Sequence, residues 1–217
     1  MGRAYKWLGG IGYILMLIPY VNFIALILIA IAWIMMGRDT KQTLFTVTGI
    51  LMIIAFALSI ATVGIVFTAI PGLIPGAARP PTGVPPTEYL KKVFAFVGPL
   101  VAIGLAIAVI GLASLIAEIA SHFRASKIFQ STWFKVGGWL RIATIIMIVV
   151  AIPIIIIFTA MSLPGALKGA LPSMMAKNIF MLFTSILWPM LIVLILGLLA
   201  TVFSIVAFFT IPEETET

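Results

Sequence analysis

Apolar positions along this chain run on rather than alternate. Five apolar stretches, at about residues 8–36, 44–70, 93–120, 136–161 and 179–210, are separated by short polar or proline-rich connections. A helix rises about 1.5 Å per residue and the hydrocarbon core of a bilayer is about 30 Å thick, so one crossing takes about 20 apolar residues. Every stretch reaches that length, and none shows the period of two that a membrane barrel strand requires. The pattern predicts an all-α fold: a polytopic transmembrane helix bundle of five to six membrane segments, forming a single transmembrane domain over residues 1–217. Backbone polar groups facing lipid would be bonded within their own helix.

The first stretch is long for one span, and Pro19 interrupts it, followed by Tyr20, Val21 and Asn22. Two readings follow: one kinked, tilted helix, or a short hairpin that enters and leaves on the same face. Basic residues arbitrate. In the hairpin, Arg3, Lys6, Arg38, Lys41, Arg124, Lys127, Lys135 and Arg141 share a face, eight against the five of Arg79, Lys91, Lys92, Lys168 and Lys177. A single span would split them seven to six. An excess of Lys and Arg marks the cytoplasmic face, so the hairpin is preferred, with both termini cytoplasmic in a multi-pass protein of the cell membrane. Arg3 and Lys6 ahead of an apolar run also imitate a signal peptide. The run is too long and Ala30-Ile31-Ala32 lies inside it, so the segment is expected to be retained.

Composition agrees with the pattern. The 217 residues are 63% hydrophobic and only 9% charged, against about 25% charged in a soluble domain. That excludes a soluble enzyme and a disordered chain. The net charge of +7 comes from 13 scattered Lys and Arg residues; scattered in this way they are a topology signal and not a nucleic-acid surface. Without cysteine, thiolate metal sites and thiol catalysis are excluded.

Two connections lie on the face opposite the termini. Residues 71–88 hold Pro71, Pro75, Pro80, Pro81, Pro85 and Pro86 and are expected to form an extended, proline-rich outer loop. Residues 162–172 are shorter, with room for a brief interfacial helix. The segment around Arg38, Lys41 and Gly49 can also be laid against that around Arg124, Lys127 and Gly137, as a parallel internal repeat would require. The tryptophans Trp7, Trp33, Trp133, Trp139 and Trp188 fall near span ends, as an interfacial belt would place them.

Ionisable groups inside a span cost at least about 2.5 kcal/mol each and are functional candidates by default. Glu118 is the acid at such depth, and on a helix it shares one face with Gly104, Gly111, Ser114, Ser121 and His122. One reading is a proton or cation path, with Glu118 as carrier and His122 one turn on. The plainer reading is a helix end whose Glu118 pairs with Arg141 or Lys127. Arg141 itself is expected to snorkel outward, with an ion pair to Glu118 as the alternative. The rows Gly98, Ala102, Ala106 and Gly197, Thr201, Ser204, together with Gly104 and Gly111, read as helix-packing positions, within the chain or between copies. Pro99, Pro153 and Pro189 read as tolerated kinks.

The segments Leu8-Gly9-Gly10-Ile11-Gly12 and Ile18-Pro19-Tyr20-Val21, the central Ala117-Glu118-Ile119-Ala120-Ser121-His122-Phe123-Arg124 with Lys127, Phe129, Gly137 and Gly138, and the closing Ala207-Phe208-Phe209 resemble an archaeal integral-membrane family. It is known only as domain of unknown function number nine hundred and ninety-six. The chain departs from it in the proline-rich loop. The resemblance implies a small multi-span archaeal membrane protein and no catalytic residue.

Enzyme signatures such as His-Glu-x-x-His, Gly-x-x-x-x-Gly-Lys-Thr or Gly-x-Ser-x-Gly do not occur. One histidine and one deep acid do not make a metal site, so neither cofactor nor catalysis is expected. The expected function is structural or accessory: an integral protein contacting membrane lipids that assembles with itself, as a homo-oligomer, or joins a larger membrane complex. The alternative is a small proton, ion or solute transporter or channel using the Glu118 face.

Overall fold

The computed structural model describes the backbone of residues 4–77, 86–167 and 172–213, and the side chains of 4–65, 67, 98, 101–157 and 187–213. Six helices account for nearly all of it: α1 (Ala4–Met16), α2 (Asn22–Asp39), α3 (Thr43–Ala77), α4 (Pro86–Ile128), α5 (Thr132–Leu167) and α6 (Pro172–Phe209). Five are long and apolar enough to cross a membrane, within Asn22–Asp39, Thr43–Ile65, Val101–Ile128, Thr132–Ile157 and Leu187–Phe209.

The first apolar stretch is a hairpin, as its charge pattern favours. α1 stops before Pro19, which has no N–H to continue the helix. Tyr20 takes a left-handed φ of 68° and stands 92% exposed at the tip. At about 1.5 Å per residue the arms are about 20 and 27 Å long, whereas α3 to α6, at 35–43 residues, measure about 52–65 Å. The hairpin therefore ends well short of its neighbours.

Each helix packs on its neighbours in the chain, and α1 closes the circle against α6; among the described residues no other pair of helices packs backbone against backbone. The result is a ring of six at one end. That closed end carries the turns between α2 and α3 and between α4 and α5, together with the ends of α1 and α6. Tyr5 Oη donates to Asp39 Oδ2 at 2.9 Å, Arg124 Nε to Gln42 Oε1 at 3.0 Å, and Lys6 Nζ meets Glu213 Oε1 at 3.2 Å.

Both turns are built alike. Gln42 N donates to Gly37 O at 2.9 Å and Ser131 N to Ser126 O at 3.1 Å, each bridging a left-handed residue, Lys41 (φ 55°) and Gln130 (φ 51°). Such a bond satisfies carbonyls that a helix end leaves open. The structure thus aligns Lys41 with Gln130, not with the Lys127 of the sequence comparison, a shift of three positions. Helical geometry, not the matching of polar letters, sets this register.

Inside the ring each helix contributes one ring-bearing side chain: Tyr13, Trp33, Phe45, His122, Phe134 and Phe208, all fully buried. Trp33 is the hub, its ring centroid 5.4 Å from Phe45, 5.2 Å from His122, 6.4 Å from Phe134 and 5.4 Å from Phe208. Its expected place in an interfacial belt is therefore wrong. Trp7, Trp133, Trp139 and Trp188 remain exposed. Nearness to a span end does not say which way a helix faces, and the apolar indole gains more from the packed centre than from a headgroup layer.

Backbone contact at this end relies on glycine. A Cβ at Gly49 would run into the carbonyl oxygen of Ala30 and the Ile34 side chain, so α2 and α3 touch where no larger residue fits. Gly9 and Gly10 give the same closeness to the rings of Phe208 and Phe209.

Two boundaries need correction. Helix α3 continues through Pro71 and Pro75 to Ala77, and α4 begins at Pro86, so the extended loop assigned to 71–88 begins later; residues 78–85 lie outside the described ones. Likewise α5 runs through Pro164 to Leu167. Proline removes one hydrogen bond from a helix and bends it, but where apolar flanks leave the backbone no better partner the helix carries on. Proline begins a helix well, which explains Pro86 and Pro172 at the first positions.

Candidate functional site

A buried polar cluster occupies the ring about 15 Å from its closed end. On α4, Glu118, Ser121, His122 and Ala125 follow at helical intervals of three, one and three, so they share one face. On α5, Phe134, Gly137, Gly138 and Arg141 do the same. Glu118 lies ten residues before the end of α4 and Arg141 nine after the start of α5, which brings them level across the antiparallel pair.

Arg141 Nη2 donates to Glu118 Oε1 at 2.8 Å, and Tyr13 Oη donates to the same oxygen at 2.6 Å. Arg141 Nη1 donates to Ser204 Oγ at 2.8 Å and lies 3.4 and 3.5 Å from the carbonyls of Gly137 and Ala200. Its guanidinium carbon sits 5.5 Å from the centre of the Tyr13 ring. The side chains of the pair are only 9% and 12% exposed. At such burial each charge depends on its partner, because an unpaired ion out of water is far costlier than a pair.

His122 closes the network. Its Nδ1 is 2.9 Å from the carbonyl of Glu118, which can only accept, so Nδ1 carries hydrogen. Its Nε2 is 3.1 Å from Ser204 Oγ. With Nε2 the acceptor of a neutral ring, the Ser204 hydroxyl can turn to it in place of the Ala200 carbonyl 2.8 Å away. One chain of bonds thus ties α1, α4, α5 and α6, and Thr48 Oγ1 to Ser121 Oγ at 2.8 Å adds α3. The arrangement is neutral in total, with Glu118 and Arg141 cancelling.

Above the pair, next to the end of the hairpin, lies a cavity of about 180 Å³ that is not sealed from its surroundings. Its walls are Met16, Leu115, Glu118, Arg141, Thr144, Ile145, Ile148, Gly197, Ala200 and Thr201. Thr144 and Thr201 donate their hydroxyls to their own helices, at 2.8 and 2.9 Å. The cavity is therefore mainly apolar, with an ion pair at its floor.

The sequence-selected residues divide. Glu118, His122, Arg141 and Ser204 come together. Ser114, one turn farther along α4, is buried but takes no part in the network. Arg141 does not snorkel; with Glu118 and Ser204 at bonding distance the interior solvates it better than nine residues of travel would. The packing assignments fail for most glycines within the chain. A Cβ at Gly98, Gly104, Gly111 or Gly197 would meet nothing within 4 Å, and Ala102 and Ala106 are exposed. Gly197 and Thr201 line the cavity instead. The small-residue face of α4 is buried at Ser121 and Ser114 and open at Gly104, because the hairpin that covers its lower part stops.

Ser121 lies on the polar face that the sequence marks on α4, whereas Tyr13 and Thr48 are members that the sequence reading missed. Tyr13 left a signal, a phenol inside an apolar hairpin arm that must find a partner. Among the described residues no group of three His, Cys, Asp or Glu could hold a metal ion. No protein-family model, no curated protein and no solved structure matches this chain.

Proposed function

We propose that this chain is a structural or accessory protein of the cell membrane, which assembles with copies of itself or within a larger membrane complex and catalyses no reaction. The supporting observation is the contrast between its two ends. At the closed end glycines are packed, the centre is filled by six rings, and Tyr13, Glu118, His122, Arg141 and Ser204 bond one another. Beyond the hairpin, a Cβ at Gly98, Gly104 or Gly111 would meet nothing within 4 Å among the described residues. A glycine within a helix costs about 1 kcal/mol relative to alanine, and the close approach of a helix from another chain would offset it.

Native mass measurement in lipid nanodiscs, after gentle extraction from the native source, tests this reading. A mass above that of the protomer is expected, falling to the protomer when Gly98 and Gly104 are both changed to leucine. A lone protomer with no co-purifying partner would overturn it. The cavity at Glu118 and Arg141 favours a second reading, transport. If Glu118→Gln abolishes proton or ion flux in liposomes while leaving the assembly intact, transport replaces the accessory role.

Both termini are proposed to lie in the cytoplasm, since Lys6, Arg38, Lys41, Arg124, Lys127 and Lys135 gather at the closed end. A cysteine at Lys41 should then react with an impermeant maleimide only after the membrane is opened; labelling of intact cells would reverse the orientation. The residues that carry the resemblance to the archaeal family include Gly9, Gly10, His122, Gly138 and Phe208, all of them packing positions of the closed end. Their structural use supports proposing membership of that family.

A further inference from the structure

The polar cluster is satisfied on one side only. Both hydrogen bonds to Glu118 fall on Oε1; Oε2 accepts none from any described residue. Arg141 has five N–H groups, and its Nε donates to no described residue. Neither atom is sealed away, since neither is among the fully covered polar atoms that lack a partner. Both residues line the cavity between α4, α5, α6 and the end of α1.

We infer that this cavity is a binding site for a neutral amphiphile with a hydroxyl head, the hydroxyl lodging between Glu118 Oε2 and the free edge of Arg141 and the tail lying along Leu115, Ile145 and Ile148. A hydroxyl donates one hydrogen bond and accepts others, which matches a free carboxylate oxygen beside a free guanidinium N–H. The pair is neutral in total, so a charged head would bring an uncompensated charge to a buried site. A volume of about 180 Å³ exceeds what one ordered water fills, about 30 Å³, and the apolar walls offer further waters few partners. The Thr144 and Thr201 oxygens keep acceptor capacity for a second hydroxyl. The inference does not depend on assembly, because the site lies within one chain.

The test uses the full chain in nanodiscs and a decanol carrying a tail diazirine, with the labelled peptides read by mass spectrometry. Label is expected on α4, α5 and α6 around Leu115, Ile148 and Gly197. Unlabelled 1-decanol should displace it at about tenfold lower concentration than decyl methyl ether, which has no hydrogen to give Glu118. Decanoate should compete no better than the ether. Gly197→Leu should abolish the labelling without lowering the melting temperature, since its side chain enters open space.

Equal competition by alcohol and ether, or stronger competition by decanoate, would overturn the inference. So would full labelling of the folded Gly197→Leu protein, or an absence of label at these peptides. The source of the ligand is read by stripping lipid first. Labelling that rises afterwards identifies a retained hydroxyl-headed lipid, and labelling that stays constant identifies a free alkanol; either supports the site.

Discussion

Changing Arg141 to methionine is expected to destabilise the protein by about 3–5 kcal/mol, because it strands the Glu118 carboxylate inside the bundle. Methionine replaces most of the volume and none of the charge. What remains near Glu118 Oε1 is the Tyr13 hydroxyl at 2.6 Å, one neutral donor where a cation stood. Ser204 also loses its donor at 2.8 Å. A second variant separates charge from packing. With Glu118→Leu added to Arg141→Met, no buried ion is left, and replacing a whole buried pair by apolar groups is often close to neutral. The double variant should therefore be more stable than the single one, despite carrying more changes. Equilibrium unfolding in mixed micelles, with the same detergent throughout, measures both. Arg141→Met unfolding like the unaltered protein would mean that the pair is solvated from the cavity and contributes little.

The second large effect is expected at Trp33. Its side chain is fully buried and touches rings from α3, α4, α5 and α6. Trp33→Ala should cost about 3–5 kcal/mol, the range for deleting a large aromatic group from a packed interior. The loss arises from contacts as well as from area, since a void leaves the surrounding rings without partners on one side. Trp33→Phe keeps a flat ring and should cost at the low end of the range for core changes. The same unfolding measurement, run beside the Arg141 variants, decides it. Because Trp33 packs on the His122 ring, and His122 and Arg141 both bond Ser204 Oγ, their effects should not add when combined; residues linked through shared partners couple. Additive losses would show that the aromatic plug and the polar cluster are energetically separate.

Much of the fold was legible because membrane helices write themselves as unbroken apolar runs of sufficient length. Glu118 and His122 stood out for the same local reason: a polar residue in such a run is conspicuous, and spacing of three or four puts residues on one helical face. Arg141 stood out too, yet its direction did not. A lone sequence allowed it to turn outward or inward, and the choice depended on Ser204, 63 positions later, and on Tyr13 from the first helix. Proline was over-read. Pro71, Pro75 and Pro164 lie in connections that the sequence marks as breaks, yet the helices run through them, because in apolar surroundings the backbone has nowhere better to bond.

Glycine gave the most misleading local signal. Small-residue spacing marks a surface that permits close approach, and it marks it equally whether or not a neighbour comes. Gly98 and Gly104 each sit in such a row with nothing within 4 Å of their Cβ positions among the described residues, while Gly49 and Gly137, outside the chosen rows, lie against other helices.

The class of the protein, the helical spans, the break at Pro19 and the presence of a polar, ionisable face on α4 are legible in the residues alone. Those are properties of single segments, fixed by burial and by hydrogen bonding along the chain. That Trp33 is the hub, that Glu118 is held by Arg141 and Tyr13, and that a cavity stands open above them emerges from the way the helices meet. These contacts lie inside a ring that closes only where α1 meets α6, a contact between segments at opposite ends of the chain. No local periodicity encodes such a contact, because a helix face specifies that something must cover it and not which helix will.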